Sequence, residues 1–469
     1  MHLLEAGALL ITTLSVRSRN DMMTTAFLSA SLRRLPRQAF IRFMAVLIVT
    51  TGAISVRSLS DVFRIAPPTP RTTALTPGSS EAIAQIQARL QRAPTDANSY
   101  AQLGIAWLQK IRLTGDTSLY GRAQGAIERS LALDPQNADA LTARGVLALA
   151  LHDFAGALKW ADRLLAENPY RAAAYGIRTD ALVELGRYDE AVTALQKMVD
   201  MRPDTESYSR VSYLRELHGD VDGALAAMQM AVASAAPGTE PWLWALTHLG
   251  NLYRSQNALG QAESVYRQVL ALQPDYAPAL AGLAQVMAAQ NNPQGAFTQL
   301  IPLAERLPLP EHLILLGELY AAQGDVANAQ AQYDLVRVVQ QLSATAGMAV
   351  DLEMATFEAV HGHNTSEALA QAEAAYATRP TIYAADTLSW SLYRNGRYTE
   401  AWHYSEEARR LGTHDALFYL HAAEIAAARG DLVIASEQLA QALAINPYPS
   451  PLGNQQLEAL KTRLQGGKP

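Results

Sequence analysis

YGIRTDALVELGRYDEAVTALQKMVDMRP, running from Tyr175 to Pro203, decides the fold. Its small and apolar residues recur at helical spacing, Gly186-Arg187-Tyr188 interrupts the period halfway, and Pro203 closes it. Such a stretch is a helix, a tight turn and a second helix. Neither helix can bury its apolar face alone, so the unit needs copies of itself on either side.

Those copies are present. Pro135, Pro169, Pro203 and Pro237 follow one another at one constant spacing, which Pro274 and Pro308 share. A fixed period of about 34 residues marks a repeat array. Ahead of each turn an apolar, a small and an aromatic residue return, for example Leu249, Gly250 and Tyr253, or Leu316, Gly317 and Tyr320. The turn itself is Gly-Arg-Tyr at Gly186 and Gly396, and Gly-Asp at Gly219, Gly324 and Gly430. A helix that must stop within one residue needs the left-handed backbone that glycine adopts freely. After the turn comes an alanine, at Ala123, Ala157, Ala191, Ala224, Ala262, Ala296, Ala329, Ala368, Ala401 and Ala435. Antiparallel helices approach closely only where the side chain between them is small.

These residues resemble the tetratricopeptide repeat family, most clearly where Leu388, Tyr393, Gly396, Tyr398, Glu400 and Ala401 stand together and in the unit from Leu249 to Pro274. The resemblance covers about ten units between Pro94 and Pro447. It implies an all-α fold, a right-handed superhelical solenoid of antiparallel helix pairs in which the first helix of each unit lines the concave side. Two departures are local. KIRLTGDTS, Lys110 to Ser118, is inserted ahead of the first turn, and the stretch from Pro308 to Pro380 holds two units with four residues to spare, which predicts a longer helix or a kink. Leu457, Leu460 and Leu464 are placed to cap the last unit.

The ends differ from the array. SLRRLPRQAFIRFMAVLIVTTGAISV, from Ser31 to Val56, sets an arginine cluster before an uncharged run from Phe43, the pattern of an export signal. Counted back to Ala39, the run reaches about 18 residues, the lower edge of a membrane span. A second apolar run, Ala6 to Val16, precedes the cluster, and a start at Met22 or Met23 would give an N-terminal region of ordinary length. The expected organisation is a signal peptide or membrane anchor over 1–60, a Pro-rich linker over 61–80, the array over 81–447, and a capping helix with its tail over 448–469. Membrane contact is then through the N-terminal segment, with the array exported or anchored outside the cytoplasm; the alternative is a buried helix in a cytoplasmic protein.

Composition narrows the function. Residues 1–80 hold nine Arg against three acids, so of the whole chain's net charge of -6 the remainder carries -12. An acidic body without a basic stripe does not suit nucleic acid. The absence of cysteine removes disulfides, thiolate metal sites and thiol nucleophiles. No Walker loop, dinucleotide fingerprint, Gly-x-Ser-x-Gly elbow or His-Glu-x-x-His occurs. His361-Gly362-His363 falls where other units turn, and reads as a solvated loop. The expectation is therefore no catalytic, metal or cofactor-binding residue.

What remains is a surface for a protein or peptide. Trp244, Thr247, Asn251 and Arg254 share one helix face, apart from the packing face of Leu246, Leu249 and Tyr253. The same offset selects Glu206, Ser209, Tyr213 and Glu216 earlier, and Tyr383, Asp386, Trp390 and Tyr393 later, with Arg394 beside them. Tyr213, Trp244, Asn251, Arg254, Asp386, Trp390, Tyr393 and Arg394 are accordingly the candidate partner-binding residues: Asn can clamp the backbone of an extended peptide and rings can cover its side chains. Lys and Arg are too sparse here for the carboxylate-gripping groove that the family is best known for. The expected function is a non-catalytic scaffold. The alternatives are an accessory factor that presents a bound substrate to a partner enzyme and, more remotely, an enzyme with a cryptic site.

Overall fold

Residues 78–466 are described by a computed structural model, and the expected signal or anchor over 1–60 lies outside them. The described residues form 22 α-helices, none of them long and apolar enough to cross a membrane. Helix α1 (Ser80–Arg92) precedes ten antiparallel pairs. The first five are α2 (Ala97–Thr114) with α3 (Tyr120–Leu133), α4 (Ala138–Ala150) with α5 (Phe154–Glu167), α6 (Ala172–Glu184) with α7 (Tyr188–Met201), α8 (Thr205–Leu217) with α9 (Val221–Ser234), and α10 (Glu240–Ser255) with α11 (Leu259–Leu272). The second five are α12 (Ala277–Ala289) with α13 (Pro293–Arg306), α14 (Pro310–Ala322) with α15 (Val326–Thr345), α16 (Asp351–His361) with α17 (Thr365–Thr378), α18 (Ile382–Arg394) with α19 (Tyr398–Ala408), and α20 (Ala416–Arg429) with α21 (Leu432–Ile445). Helix α22 (Pro451–Gly466) closes the array.

The local reasons are those of the repeat. Asp153, Asp220, Asn292 and Asp325 each accept a backbone N–H in the first turn of the second helix of their pair. Gly186, Gly219, Gly324, Gly396 and Gly430 all have positive φ, and His152, Asn257 and Asn291 take the same left-handed position in units that lack the glycine. Pairing is equally direct. A Cβ at Gly250 or Gly282 would come closer than 3.0 Å to the ring of Tyr266, the side chain of α11 that fills the space between α10 and α12. All ten alanines after the turns are buried. Ala191→Leu should therefore overpack the α6–α7 crossing and cost about 2 kcal/mol, read as a lower thermal midpoint.

The departures also have their causes. The insertion ahead of the first turn extends α2 to 18 residues, and Gly115 ends it with a left-handed cap. Helix α15 takes up the four surplus residues and more, running to 20 where the second helix of most pairs has 14, while α16 shortens to 11. Leu457 and Leu460 of α22 are fully buried on the last pair, and α22 also reaches α14, where Gln455 donates to the Ala322 carbonyl.

The coil closes on itself. His152 meets the Ala349 carbonyl, Arg379 meets Glu184, the Ile382 N–H donates to the Tyr188 hydroxyl, Thr413 donates to the Leu217 carbonyl, and Asn446 donates to the Arg254 carbonyl. Partners in these contacts stand 197, 195, 194, 196 and 192 residues apart. A nearly constant separation, stepping along the chain unit by unit, means that one superhelical turn takes between five and six units and that successive turns touch. Turns inside the early pairs abut loops between the later pairs along this seam. It is tight enough that a Cβ at Gly186 would strike the Pro380 carbonyl and one at Gly219 the Gly412 carbonyl, whereas Gly324, Gly396 and Gly430 have open space beside them among the described residues.

Candidate functional site: the lumen of the coil

Where the turns meet, six first helices, α6, α8, α14, α16, α18 and α20, line a cavity of about 470 Å³. Its wall is drawn from helices far apart in sequence: Tyr213 of α8, Glu318 of α14, Phe357 and His361 of α16, Tyr383 and Trp390 of α18, His421 of α20, and the start of α22. A second cavity of about 350 Å³, lined by His152, Asp180 and Arg210 among others, shares Glu184, Tyr213, Glu353 and Arg379 with the first.

The partition between the two is an ion cluster spanning the seam. Arg379 pairs with Glu184 through one nitrogen and, at 3.4 Å, with Glu353 through another, and its guanidinium lies 4.4 Å from the Phe154 ring centre. His152 Nδ1 is 2.8 Å from the Ala349 carbonyl and 3.4 Å from Glu353. Burial raises the Glu184 carboxyl above its ordinary range even though Arg379 opposes it. Burial also works against the Glu353 carboxylate, yet its hydrogen bond to His152 and the charges of His152 and Arg379 hold it below the usual value. For His152, burial alone would depress the ring, and Glu353 with the Ala349 carbonyl raises it instead.

At the opposite end of the main cavity stand Glu318 and His361, 3.5 Å apart. His361 stacks on Tyr333 with ring centres 4.5 Å apart and tilts against Phe357 at 5.2 Å. The expected solvated loop is thus corrected at this position: His361 is the last residue of α16 and its side chain is 5% exposed. It follows Phe357 by one helical turn, and that spacing carries both rings into the same core. Burial, with Arg337 and Arg394 adding to it, pushes His361 down to about 4. Burial pushes Glu318 up to about 7, against hydrogen bonds from Ser450 and the Leu452 N–H.

The sign for Glu318 follows from linkage. A carboxyl with a raised folded-state value holds its proton longer folded than unfolded, so it lowers stability progressively as pH rises from about 4.5 through about 7. Glu318→Gln should then stabilise the protein by about 2 kcal/mol at pH 8 and by almost nothing at pH 4.5. Melts of both proteins at the two pH values check this; an equal effect at both would contradict it.

The residues singled out in the sequence are placed as follows. Trp390, 7% exposed, lies between Tyr393 and His421 with ring centres at 4.7 and 4.2 Å. His421 Nδ1 bonds Asp386 at 2.9 Å. Tyr213 and Tyr383 remain 39% and 40% exposed on the cavity wall. Tyr393 donates to Glu424 at 3.3 Å. Arg394 turns away to α16, donating to the carbonyls of Ala359 and Gly362 at 2.8 and 2.9 Å. Trp244 packs on His248, and Asn251 accepts from the Tyr266 hydroxyl at 2.7 Å. Arg254 favours the ionised forms of Glu216 and Asp415, two carboxyls that burial pushes upward. The cavity therefore gathers Tyr213 and Trp390 with Tyr383, reaches Asp386 through His421, and leaves Trp244, Asn251, Arg254, Tyr393 and Arg394 off its wall.

Sequence reasoning missed Glu318, Glu353, Arg379 and His421. His421 carried a readable signal, since it stands 35 residues after Asp386, one unit further along the same stripe. Arg379 carried none; it precedes Pro380 in a loop between units, and only the closing of the coil brings it to Glu184. Among the described residues, no three His, Asp or Glu side chains stand where they could hold a metal ion.

Three tetratricopeptide repeat models match the sequence, over residues 108–172, 148–215 and 245–277. No curated protein matches. Among solved structures, a thermophilic TPR protein of Thermus thermophilus is 22% identical with a TM-score of 0.37, covering 41% of this chain and 99% of its own. PilW, a type IV pilus biogenesis factor, is 19% identical with a TM-score of 0.36, covering 43% of this chain and 93% of its own. The human IFIT1 dimer with PPP-AAAA is 15% identical with a TM-score of 0.45, covering 70% and 77%. At these scores nothing of their function is carried over.

Proposed function

Because this chain belongs to the tetratricopeptide-repeat proteins, we propose that it is a non-catalytic scaffold that holds a protein partner by an extended segment lying along the inner face of the coil. One observation carries the reading: Tyr213, Tyr383 and Trp390, from two different first helices, share the wall of one cavity. Ring-lined concavities bury apolar side chains of a bound segment while the helices supply fixed polar edges. The expected membrane attachment or export through residues 1–60 belongs to the same proposal.

Two experiments test it. Captures from a membrane fraction should recover a protein partner with the natural chain and lose it about tenfold with Trp390→Ala, the effect of removing a buried ring at the centre of an interface. Equal recovery by two equally helical proteins would remove the lumen from the reading. Protease added to intact cells should digest the array; digestion only after lysis would place it in the cytoplasm.

A further inference from the structure

We infer that one copy of this chain docks head to tail on a second copy: the turns inside the late pairs of one seat the loops between the early pairs of the next, and the seam continues from molecule to molecule.

The seam uses only part of each edge of the coil. It joins the turn end of each of the second to fifth pairs to the loop after the pair five places on: His152 to Ala349, Gly186 to Pro380, Gly219 to Gly412 and Arg254 to Asn446. The turns of the later pairs and the loops between the earlier ones are thus left on opposite edges.

Both free edges repeat what the seam has already built. Within the seam, Gly186-Arg187-Tyr188 sits on Arg379-Pro380, and Tyr188 is 6% exposed with its hydroxyl accepting from the Ile382 N–H. Gly396-Arg397-Tyr398 is the same turn on the free edge. Arg187 reaches Glu190, and Arg397 reaches Glu400, through a bond of 2.7 Å in each case. Yet Tyr398 is 37% exposed, and a Cβ at Gly396 meets nothing within 4 Å among the described residues. On the free loop edge, Arg202-Pro203 repeats Arg379-Pro380. Both arginines end the second helix of their pair in nearly one backbone conformation, φ -146° and ψ 83° against φ -135° and ψ 82°. Thr205 opens α8 just beyond Pro203, as Ile382 opens α18 just beyond Pro380, so its N–H stands in the place of the donor to Tyr188.

Further positions follow the same pattern. The residue that opens the second helix of a pair is buried within the seam at Phe154 and Tyr188, and exposed at Val326 and Leu432. Asn168-Pro169-Tyr170 repeats Asn446-Pro447-Tyr448, and in each the Asn side chain accepts the Tyr N–H at 2.9 Å. Asn446 gives its amide to the Arg254 carbonyl across the seam and Tyr448 is partly buried, whereas Tyr170 is 81% exposed.

The count of helices fixes a register. The described residues open on the single helix α1 and close on the single helix α22. If these stand as the two helices of one shared unit, the third pair of the second copy counts as the fourteenth of the joined coil. The offset of five pairs then brings the turn of the ninth pair, Gly396-Arg397-Tyr398, onto the loop after that third pair, Arg202-Pro203. The same register sets the loop with Tyr170 against the turn between α16 and α17. Helix count and repeated motif are independent, and they agree. One element is missing: Arg394 holds the place of Glu184 and is tied to the Ala359 and Gly362 carbonyls, so the contact between copies lacks the Arg379–Glu184 pair and is weaker than the seam. Two different edges meet and each step advances along the coil axis, so the assembly stays open-ended.

Sedimentation of the full-length protein in mild detergent, over a wide range of concentration, tests this. The mean mass of the natural protein should climb with concentration without reaching a plateau. Tyr398→Glu blocks the turn edge and Tyr170→Glu the loop edge, and each variant alone should remain a monomer, with melts confirming that it is folded. Leu432→Glu replaces the first variant if that one melts early. Mixed in equal amounts, the two blocked proteins should recombine through their intact edges to about twice the monomer mass and go no further. A natural protein that stays monomeric at the highest concentration would overturn the inference. Association unchanged in both variants would overturn it too, by placing the contact elsewhere, including on residues 1–60. So would a mixture of the blocked proteins that remains monomeric, which is the result for a contact between two identical edges.

Discussion

Gly186→Ala should destabilise the array by about 3 kcal/mol, while Gly396→Ala, in the same slot of a later unit, should cost about 1 kcal/mol. Both glycines have positive φ, 72° and 75°, so the strain of placing an L side chain in that conformation is common to the two. What differs is the surroundings. Among the described residues a Cβ at Gly396 meets nothing within 4 Å, whereas one at Gly186 meets the Pro380 carbonyl across the seam, and that partner is backbone rather than a flexible side-chain end. The clash can be relieved only by parting the two turns. The Ile382 N–H then loses the Tyr188 hydroxyl, and Ile382 withdraws from its apolar cluster with Tyr188 and Leu217. Thermal melts measure the difference between the variants, and hydrogen exchange at 380–385 locates it. Equal destabilisation by the two substitutions, with unchanged exchange there, would mean that the seam does not bear on stability.

Arg379→Ala should cost a similar amount, about 3 kcal/mol, and should do so in a pH-dependent way. The guanidinium is 12% exposed and stands between two carboxylates that are each about one-third exposed, so the penalty lies below that of a wholly buried pair. Without it Glu184 and Glu353 confront each other across the seam with only His152 to balance them. Both carboxyls would then titrate higher in the folded protein than in the unfolded chain. The loss should be largest above neutrality and shrink as pH falls and the carboxyls take up protons. Arg379→Lys should recover part of the stability, since it keeps the charge but not the fork that reaches both partners. A penalty that stayed constant between pH 5 and 8 would show that the side chain acts by packing on Phe154 alone.

How far the sequence could be read depends on the range over which each feature is encoded. The helix pairs, the left-handed turns and the close crossings are local, and the recurring prolines, glycines and alanines of the repeat specify them. The long helix α15 was visible as four surplus residues between Pro308 and Pro380. The inward stripe was legible as a helix face, and it located Tyr213 and Trp390 on the cavity wall. It could not separate these from Asn251 or Arg394, because whether a polar group on that face meets solvent or a neighbour depends on the next unit. The seam lay further out of reach. Contacts between residues about 195 apart arise from the sum of many small rotations between units, and no single residue records that sum. Glu184, Glu353 and Arg379 consequently read as ordinary charges until the coil is assembled.

The seam behaves as a screw thread, with crests made by turns inside the early pairs and roots made by loops between the later ones. A thread tolerates changes of length only in steps of its own lead. Duplicating or deleting one whole unit between α7 and α17 slides the crests along by one root and still seats loop against turn, although it would part Arg379 from Glu184. A partial unit added to a helix in that interval would put every later root out of step. The geometry thus favours growth of this chain by whole repeats, and it makes the number of repeats, as well as their sequence, a determinant of what faces the lumen.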